Sequence, residues 1–165
     1  MKKYWSYFLS FIKKPENVFI SLSLFFGVLS AILVPQLSVS DENMHYLRAY
    51  GISQGRVESG SRCTLPKDVA KRAGSVYEGN FSSDYSKPID RSSLNIDKCS
   101  SASGYPPIMH LPQAIGIGIA SLFNGSTGLT ILFGRIANAL FYSIAIYFIR
   151  SEERRVGKEC VSTCR

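Results

Sequence analysis

Apolar residues along this chain are gathered into three long runs instead of being spread at regular intervals. The runs cover residues 18–39, 107–123 and 129–149, and a polar stretch at 40–106 separates the first two. A helix of about 20 apolar residues is long enough to cross the ~30 Å hydrocarbon layer of a membrane. The pattern therefore predicts an all-α integral membrane protein with three transmembrane helices.

The first run is interpreted as transmembrane helix 1, residues 18–39, after a cytoplasmic N-terminus of residues 1–17. Four lysines and one glutamate precede the run, and a positive flank stays on the cytoplasmic side of a membrane. A cleaved signal peptide is the alternative, because Ser38-Val39-Ser40 has the form of a cleavage site. The run has 22 residues without a charge, more than the usual ~7 to 15 residue core of a signal peptide, which favours a retained helix.

The polar stretch is close to electrically neutral. The whole chain has a formal net charge of +7, but between Ser40 and Pro107 nine Lys or Arg residues face eight Asp or Glu residues. A region without a basic stripe has no field to attract a polyanion, so nucleic acid is not an expected partner. Residues 40–106 are predicted to form an extracytoplasmic loop that carries short juxtamembrane helices.

Two short helices and a disulfide are predicted in this loop. One helix covers residues 41–54, and the other covers residues 65–72. Cys63 and Cys99 lie on the side of the membrane where oxidation occurs, so a disulfide between them would constrain a loop with little core. Two reduced thiols are the alternative.

Residues with the potential for site chemistry are concentrated at the start of the loop, where Ser40 is a predicted N-cap. Asp41 and Glu42 follow it, and acidic residues in a first turn also suit the positive end of a helix dipole. His45 and Arg48 come four and seven residues after Asp41, so the three share one helix face. This face can form a catalytic site. Alternatively, the acids cap the helix while His45 and Arg48 lie at the membrane interface.

The second and third runs are predicted to be transmembrane helices 2 and 3, residues 107–123 and 129–149. Small residues recur in the second run, including Gly116 and Gly118, and they allow a neighbouring helix to approach closely. Arg135 lies inside the third run, and a charge at the bilayer centre costs about 2.5 to 3.5 kcal/mol or more. Its side chain can extend to the lipid headgroups, or it can pair with a carboxylate or a lipid phosphate.

Residues 151–165 differ abruptly in composition from the run before them. They resemble translated adapter sequence that recurs at the ends of unrelated open reading frames, so they carry no weight in the fold prediction. Cys160 and Cys164 lack two further ligands and are not predicted to form a zinc site. The chain is therefore expected to be the N-terminal fragment of a longer protein, and inactive by itself.

Several short motifs follow one another along the chain. They are Asp41-Glu42-x2-His45-x2-Arg48-Ala49-Tyr50, Leu65-Pro66, Tyr105-Pro106-Pro107-x4-Pro112-Gln113-Ala114-x-Gly116 and Gly134-Arg135-x2-Asn138. Their order and spacing, over roughly residues 15–150, resemble a bacterial family of predicted polytopic membrane proteins, domain-of-unknown-function family 2142 (DUF2142). The resemblance implies a multi-pass protein of the bacterial plasma membrane with its N-terminus in the cytoplasm.

This family is similar to the C-type glycosyltransferases, in which a lipid-linked sugar is the donor and catalysis occurs outside the cytoplasm. By position, the resemblance implies that Asp41 and Glu42 are catalytic, as a base or as ligands of a divalent metal ion. His45, Arg48 and Arg135 would then bind the donor and steady its departing phosphate.

The expected function is sugar transfer from a polyprenyl-phosphate donor to a cell-envelope glycan, with membrane lipids and the donor as partners. A non-catalytic transporter subunit or envelope assembly scaffold is the alternative.

Overall fold

The computed structural model describes residue 11 and residues 13–57, 62–75, 86–98 and 101–163. These residues are mostly helical. The helices are α1 (Pro15–Leu33), α2 (Glu42–Ser53), α3 (Lys67–Ser75), α4 (Leu111–Leu122) and α5 (Thr127–Thr163). Strands β1 (Arg62–Pro66) and β2 (Leu94–Lys98) form a small sheet, and two 3₁₀ turns cover Ser101–Gly104 and Pro107–His110.

The chain divides into two compact units. Residues 1–30 and 139–165 form one, here called the hairpin, and residues 31–138 form the other, here called the central unit. The chain passes between them twice, within α1 after Ser30 and within α5 after Asn138. Both helices therefore contribute residues to both units.

In the hairpin, α1 and α5 pack in opposite directions. The hydroxyl oxygens of Ser23 and Ser143 are 2.7 Å apart. Nearer the start of α1, the Phe19 ring lies 5.6 Å from the guanidinium carbon of Arg150. The earlier residue of α1 thus contacts the later residue of α5, so the two helices are antiparallel.

Two helices of the described residues are long and apolar enough to cross a membrane, namely α1 and the Thr127–Glu153 part of α5. The structure differs from the prediction at residues 107–123, which form a 3₁₀ turn followed by the 12 residues of α4. Even with the preceding 3₁₀ turn, the apolar helix Pro107–Leu122 is shorter than the ~20 residues that cross the ~30 Å hydrocarbon layer, so a third span is not confirmed. Three alternating spans would also make α1 and α5 parallel, whereas they are antiparallel.

The apolar character of residues 107–123 is explained in part by packing within the central unit. Its core cluster includes Tyr46, Tyr50, Leu65, Val69, Ala114, Ile117 and Ile131. The hydroxyls of Tyr46 and Thr130 lie 2.8 Å apart inside this core. Burial raises the pKa of Tyr46 far above its usual range, so the phenol stays neutral and acts as a hydrogen-bonding group that ties α2 to α5.

Helix α4 packs closely against the start of α5. A Cβ atom added to Gly116 would overlap the carbonyl oxygen of Phe133 and lie 2.8 Å from Cβ of Ala137. A Cβ atom added to Gly118 would meet no described heavy atom within 4 Å. The close helix approach predicted from the small residues therefore occurs at Gly116 and not at Gly118.

The polar stretch contains a two-stranded sheet that the sequence pattern does not indicate. Strands β1 and β2 are antiparallel, with Cys63 opposite Asp97. The helix predicted at 65–72 starts at Lys67, because the two residues before Lys67 end β1. Cys99 lies outside the described residues, so its disulfide with Cys63 stays a prediction.

Candidate functional site

A cavity of about 370 Å³ lies in the central unit, walled by α2, α4, α5 and the 3₁₀ turn before α4. It is lined by Val39, Ser40, Glu42, His45, Tyr105, Met109, His110, Gln113, Arg135 and Asn138. Three of the residues predicted as site residues, Glu42, His45 and Arg135, are thus brought together. They come from α2 and α5, which are separated in sequence by the rest of the polar stretch and by α4.

Glu42 and Arg135 form a two-point ion pair in the cavity wall. Nε of Arg135 donates to Oε1 of Glu42 over 2.5 Å, and Nη2 donates to Oε2 over 2.8 Å. Both side chains are 13% exposed, so the pair is shielded from bulk water. Bidentate pairs between guanidinium and carboxylate are among the stronger charge-assisted hydrogen bonds.

The remaining donors of Arg135 close the carboxyl end of α1. Nη1 donates to the carbonyl oxygens of Ala31 and Val34, over 3.3 and 2.6 Å. Nη2 also donates to the carbonyl oxygen of Pro35 over 2.8 Å. The last carbonyls of a helix have no partner within it, so Arg135 satisfies them. A guanidinium has five N–H donors, and these bonds together with the two to Glu42 use all five.

Two imidazole rings and a phenol ring lie side by side along the cavity. The ring centres of His45 and His110 are 5.3 Å apart, and Tyr105 stacks on His45 at 6.1 Å. His45 projects from α2, whereas His110 ends the 3₁₀ turn that begins at Pro107. Proline has a fixed φ and no amide hydrogen, so it suits the first position of such a turn. The turn then places His110 against His45.

His110 has an open ring nitrogen in a buried position. The residue is 5% exposed, yet its Nε2 has no hydrogen-bond partner among the described residues. It lies outside both membrane-spanning segments. Burial lowers the pKa of His110, and the positive charges of His45 and Arg48 act in the same direction. The imidazole is therefore mostly neutral near pH 7.

Two other predicted site residues, Asp41 and Arg48, lie outside the cavity lining. Asp41 is the exposed N-cap of α2, one residue after the predicted cap. Its backbone is left-handed at φ 61°, which Asp tolerates better than most residues, and its side chain makes no capping hydrogen bond to described residues. Arg48 is 6% exposed, and its Nη2 donates to the carbonyl oxygen of Val57.

Sequence reasoning missed His110, Gln113 and Asn138 as cavity residues. The available signal for His110 is a titratable residue inside an otherwise apolar run, shortly after two prolines. Gln113 lies in the same run, and Asn138 follows Arg135 by three residues, about one helical turn. These spacings do not show that the three residues line the same cavity, because that depends on how α4 packs along α5.

The arrangement of possible metal-binding side chains does not support a metal site. The described part of the chain contains no group of three or more His, Cys, Asp or Glu side chains that could hold a metal ion. Both carboxylate oxygens of Glu42 are engaged by Arg135. Glu42 would have to leave this partner before it could bind the divalent ion expected from the sequence.

Comparison with known families identifies the chain at the level of its family. A family model described as a predicted membrane protein (DUF2142) matches residues 24–154. No curated protein and no solved structure matches the chain. The matched range covers most of the 165 residues, including part of α1, the Thr127–Glu153 span and every residue of the cavity lining. The chain therefore belongs to the DUF2142 family of predicted membrane proteins.

Proposed function

We propose that the protein transfers a sugar from a polyprenyl-phosphate donor to a cell-envelope glycan, and that the cavity holds the sugar-phosphate head of the donor. The observation that carries this proposal is the lining of the cavity. The lining combines two imidazoles, the amides of Gln113 and Asn138 and the phenol of Tyr105 with the apolar side chains of Val39 and Met109. Such a lining suits a polar head attached to an apolar tail.

The size of the cavity agrees with a small head group. Ligand sites generally enclose about 300 to 1,000 Å³, and this cavity of about 370 Å³ lies at the lower end. A single sugar with its phosphate suits this volume better than an oligosaccharide does. Aromatic faces and amide side chains also provide the stacking surface and the hydrogen bonds that a sugar ring requires.

An apolar surface beside the cavity could receive the lipid tail. Ile108 and Met109 are both exposed in the 3₁₀ turn, and Met109 also lines the cavity. Four exposed apolar residues then follow along α4, namely Leu111, Ile115, Ile119 and Leu122. Their spacing of three or four residues places them on one face of the helix. We assign this face to the membrane interface, where short amphipathic helices lie.

The orientation proposed here places the central unit outside the cytoplasm. Because α1 and α5 are antiparallel, Lys13, Lys14 and Arg150 lie at the same end of the hairpin. Positive residues beside a span favour the cytoplasmic side. Residues 31–138 connect the opposite ends of the two helices and would therefore face outward, as the resemblance to C-type glycosyltransferases implies.

This orientation can be tested by cysteine labelling in intact cells. In a variant whose four native cysteines are replaced by serine, a cysteine placed at exposed Lys71 should react with an impermeant maleimide, and one placed at exposed Lys13 should react after permeabilisation alone. The opposite pattern would place the cavity in the cytoplasm and remove the proposed donor.

The carboxylates have different roles in this proposal. Glu42 positions Arg135, since both of its oxygens are engaged. Asp41 lies between Ser40 and Glu42, which both line the cavity, and it is exposed. Asp41 is therefore proposed as the base that takes the proton from the acceptor hydroxyl, while the donor carbon transfers from its phosphate oxygen to that hydroxyl oxygen.

The test is sugar transfer by the full-length gene product in membranes, followed with a radiolabelled polyprenyl-phosphate sugar. Removal of a general base typically reduces a rate by about 100- to 10,000-fold, so Asp41→Asn should have an effect of this size. Asp90→Asn is the matched control, because Asp90 is an exposed carboxylate of the same unit outside the cavity lining.

Undiminished transfer by Asp41→Asn would remove Asp41 from the mechanism. Wild-type membranes that bind the donor but transfer no sugar to any envelope glycan would instead favour the non-catalytic scaffold.

A further inference from the structure

The two histidines of the cavity form an arrangement that packing alone does not require. His45 and His110 have ring centres 5.3 Å apart with an angle of 36° between the rings. His110 lines the cavity, and its Nε2 is buried without a hydrogen-bond partner among the described residues. A buried polar atom of this kind normally has a partner in a folded protein. The open nitrogen therefore indicates a ligand group in the cavity.

The charges around this pair favour an anion. Two protonated imidazoles at this distance repel each other, and Arg48 on the same helix as His45 adds a positive charge that acts on His110. The other charged residues of the lining, Glu42 and Arg135, neutralise each other. A bound anion between the imidazoles would relieve the repulsion, and each ring could then donate a hydrogen bond to it.

Arg135 is unavailable for this anion in the observed structure. Its five N–H donors are used by Glu42 and by three carbonyl oxygens of the chain. A ligand phosphate that reached Arg135 would have to displace a carboxylate that is 13% exposed. The imidazoles of His45 and His110 offer donors without such displacement.

We propose that His45 and His110 together bind the phosphoryl group of the lipid-linked donor, with Nε2 of His110 donating to a phosphoryl oxygen. This inference rests on the proposed function, since it assigns the phosphate of the same donor to a definite pair of side chains. It adds His110, which the sequence motifs did not single out, and it makes Arg135 a positioning residue. The sugar would then lie toward Gln113 and Asn138, and the tail would leave across Met109.

Binding can be measured separately from transfer. The full-length protein in nanodiscs would be titrated with polyprenyl phosphate, with inorganic phosphate, with phosphatidylglycerol and with Zn²⁺. Polyprenyl phosphate should bind most tightly, and inorganic phosphate should compete with it. Loss of one hydrogen bond to a charged group corresponds to roughly a 10- to 100-fold change in affinity. His110→Phe keeps an aromatic ring and removes the donor, so it should weaken the binding of polyprenyl phosphate by this factor.

The dependence on pH distinguishes a phosphate ligand from a structural role of His110. Anion binding favours protonated imidazole, so the affinity of the wild-type protein should fall as the pH rises from about 6 to 8. The groups that can contribute are His45 and Arg48 on α2, the Glu42–Arg135 pair and Tyr105. His110→Gln should flatten this dependence. Lys71→Gln, which removes an exposed positive charge from α3, should leave affinity and pH dependence unchanged.

The outcomes separate this inference from the proposed function. Equal binding of polyprenyl phosphate by wild type and His110→Phe would overturn the assignment, even if sugar transfer is observed. Equal binding of phosphatidylglycerol would overturn the choice of donor, and tight binding of Zn²⁺ without phosphate would replace the anion by a metal. Phosphate binding that depends on His110, in a protein that transfers no sugar, would retain the subsite and reject the transferase.

Discussion

The hairpin and the central unit use the same helices in opposite ways. In the hairpin, large apolar side chains point outward, as Phe25 on α1 does at 62% exposure. In the central unit, Tyr46 is fully buried, and polar side chains such as Asn43, His110 and Gln113 are buried beside it. The hairpin suits a lipid environment, whereas the central unit has an interior of the kind found in water-soluble domains.

This difference shows where function can be located. Buried polar groups are unfavourable unless they have partners, so a structure that keeps them needs either internal hydrogen bonds or a ligand. Arg135 has internal partners for every donor, and Nε2 of His110 has none among the described residues. The central unit thus contains both a satisfied polar network and an unpartnered buried nitrogen, and the latter belongs to a residue that lines the cavity.

The largest expected effect follows from removing Arg135. Breaking a buried ion pair by removing one partner costs about 3 to 5 kcal/mol, and Arg135→Ala would also remove hydrogen bonds to the carbonyl oxygens of Ala31, Val34 and Pro35 near the end of α1. Amide hydrogen exchange should show that the free energy of opening α2 falls by this amount in the variant. Arg135→Lys keeps the positive charge but not the planar guanidinium with its five N–H donors, so the free energy lost by this variant should be intermediate. If Arg135→Ala kept the hydrogen-exchange protection of the wild type, the Glu42–Arg135 ion pair would not stabilise the central unit.

A smaller effect is expected from a matched pair of glycines on α4. Gly116→Ala would place a methyl group on the Phe133 carbonyl, and overpacking costs about 1 to 3 kcal/mol. Gly118→Ala has open space and should gain up to about 1 kcal/mol from helix propensity. Thermal unfolding in detergent would measure both variants. Equal midpoints would mean that α4 and α5 are farther apart than this structure shows.

The smallest effect is expected in the hairpin. Ser23→Ala removes the hydrogen bond to Ser143, and such bonds between membrane helices contribute about 0.6 kcal/mol on average. Ser143→Ala should give the same loss, and the double variant should be little worse than either one. A loss comparable to that of Arg135→Ala would remove the contrast between the two units.

The membrane-spanning parts were predictable because length and apolar character are local properties. The run at 18–39 overlaps α1, which ends six residues earlier at Leu33, and the run at 129–149 lies within α5. The run at 107–123 shows the limit of this reasoning, since apolarity alone does not distinguish a span from a short helix with one buried face. In α4 the buried face contains Ala114, Gly116 and Ile117, and the packing partner that explains it is distant in sequence.

The candidate site was predictable in part. The helical spacing placed Asp41, His45 and Arg48 on one face, but of these three only His45 lines the cavity, together with Glu42. The pairing of Arg135 with a carboxylate was one of two alternatives that the sequence left open, and its partner is Glu42. His110 could not be assigned, because its contact with His45 depends on the 3₁₀ turn and on the return of α4 along α5.

The central claim is that the cavity of the central unit binds a lipid-linked sugar donor while the hairpin serves as an anchor. Photocrosslinking with a polyprenyl-phosphate sugar that carries a diazirine beside the phosphate tests this most directly. The account predicts labelled peptides from residues 39–45 and 105–113, with labelling abolished by excess unmodified donor. Labelling confined to residues 13–30 and 139–153, or unaffected by competing donor, would contradict it.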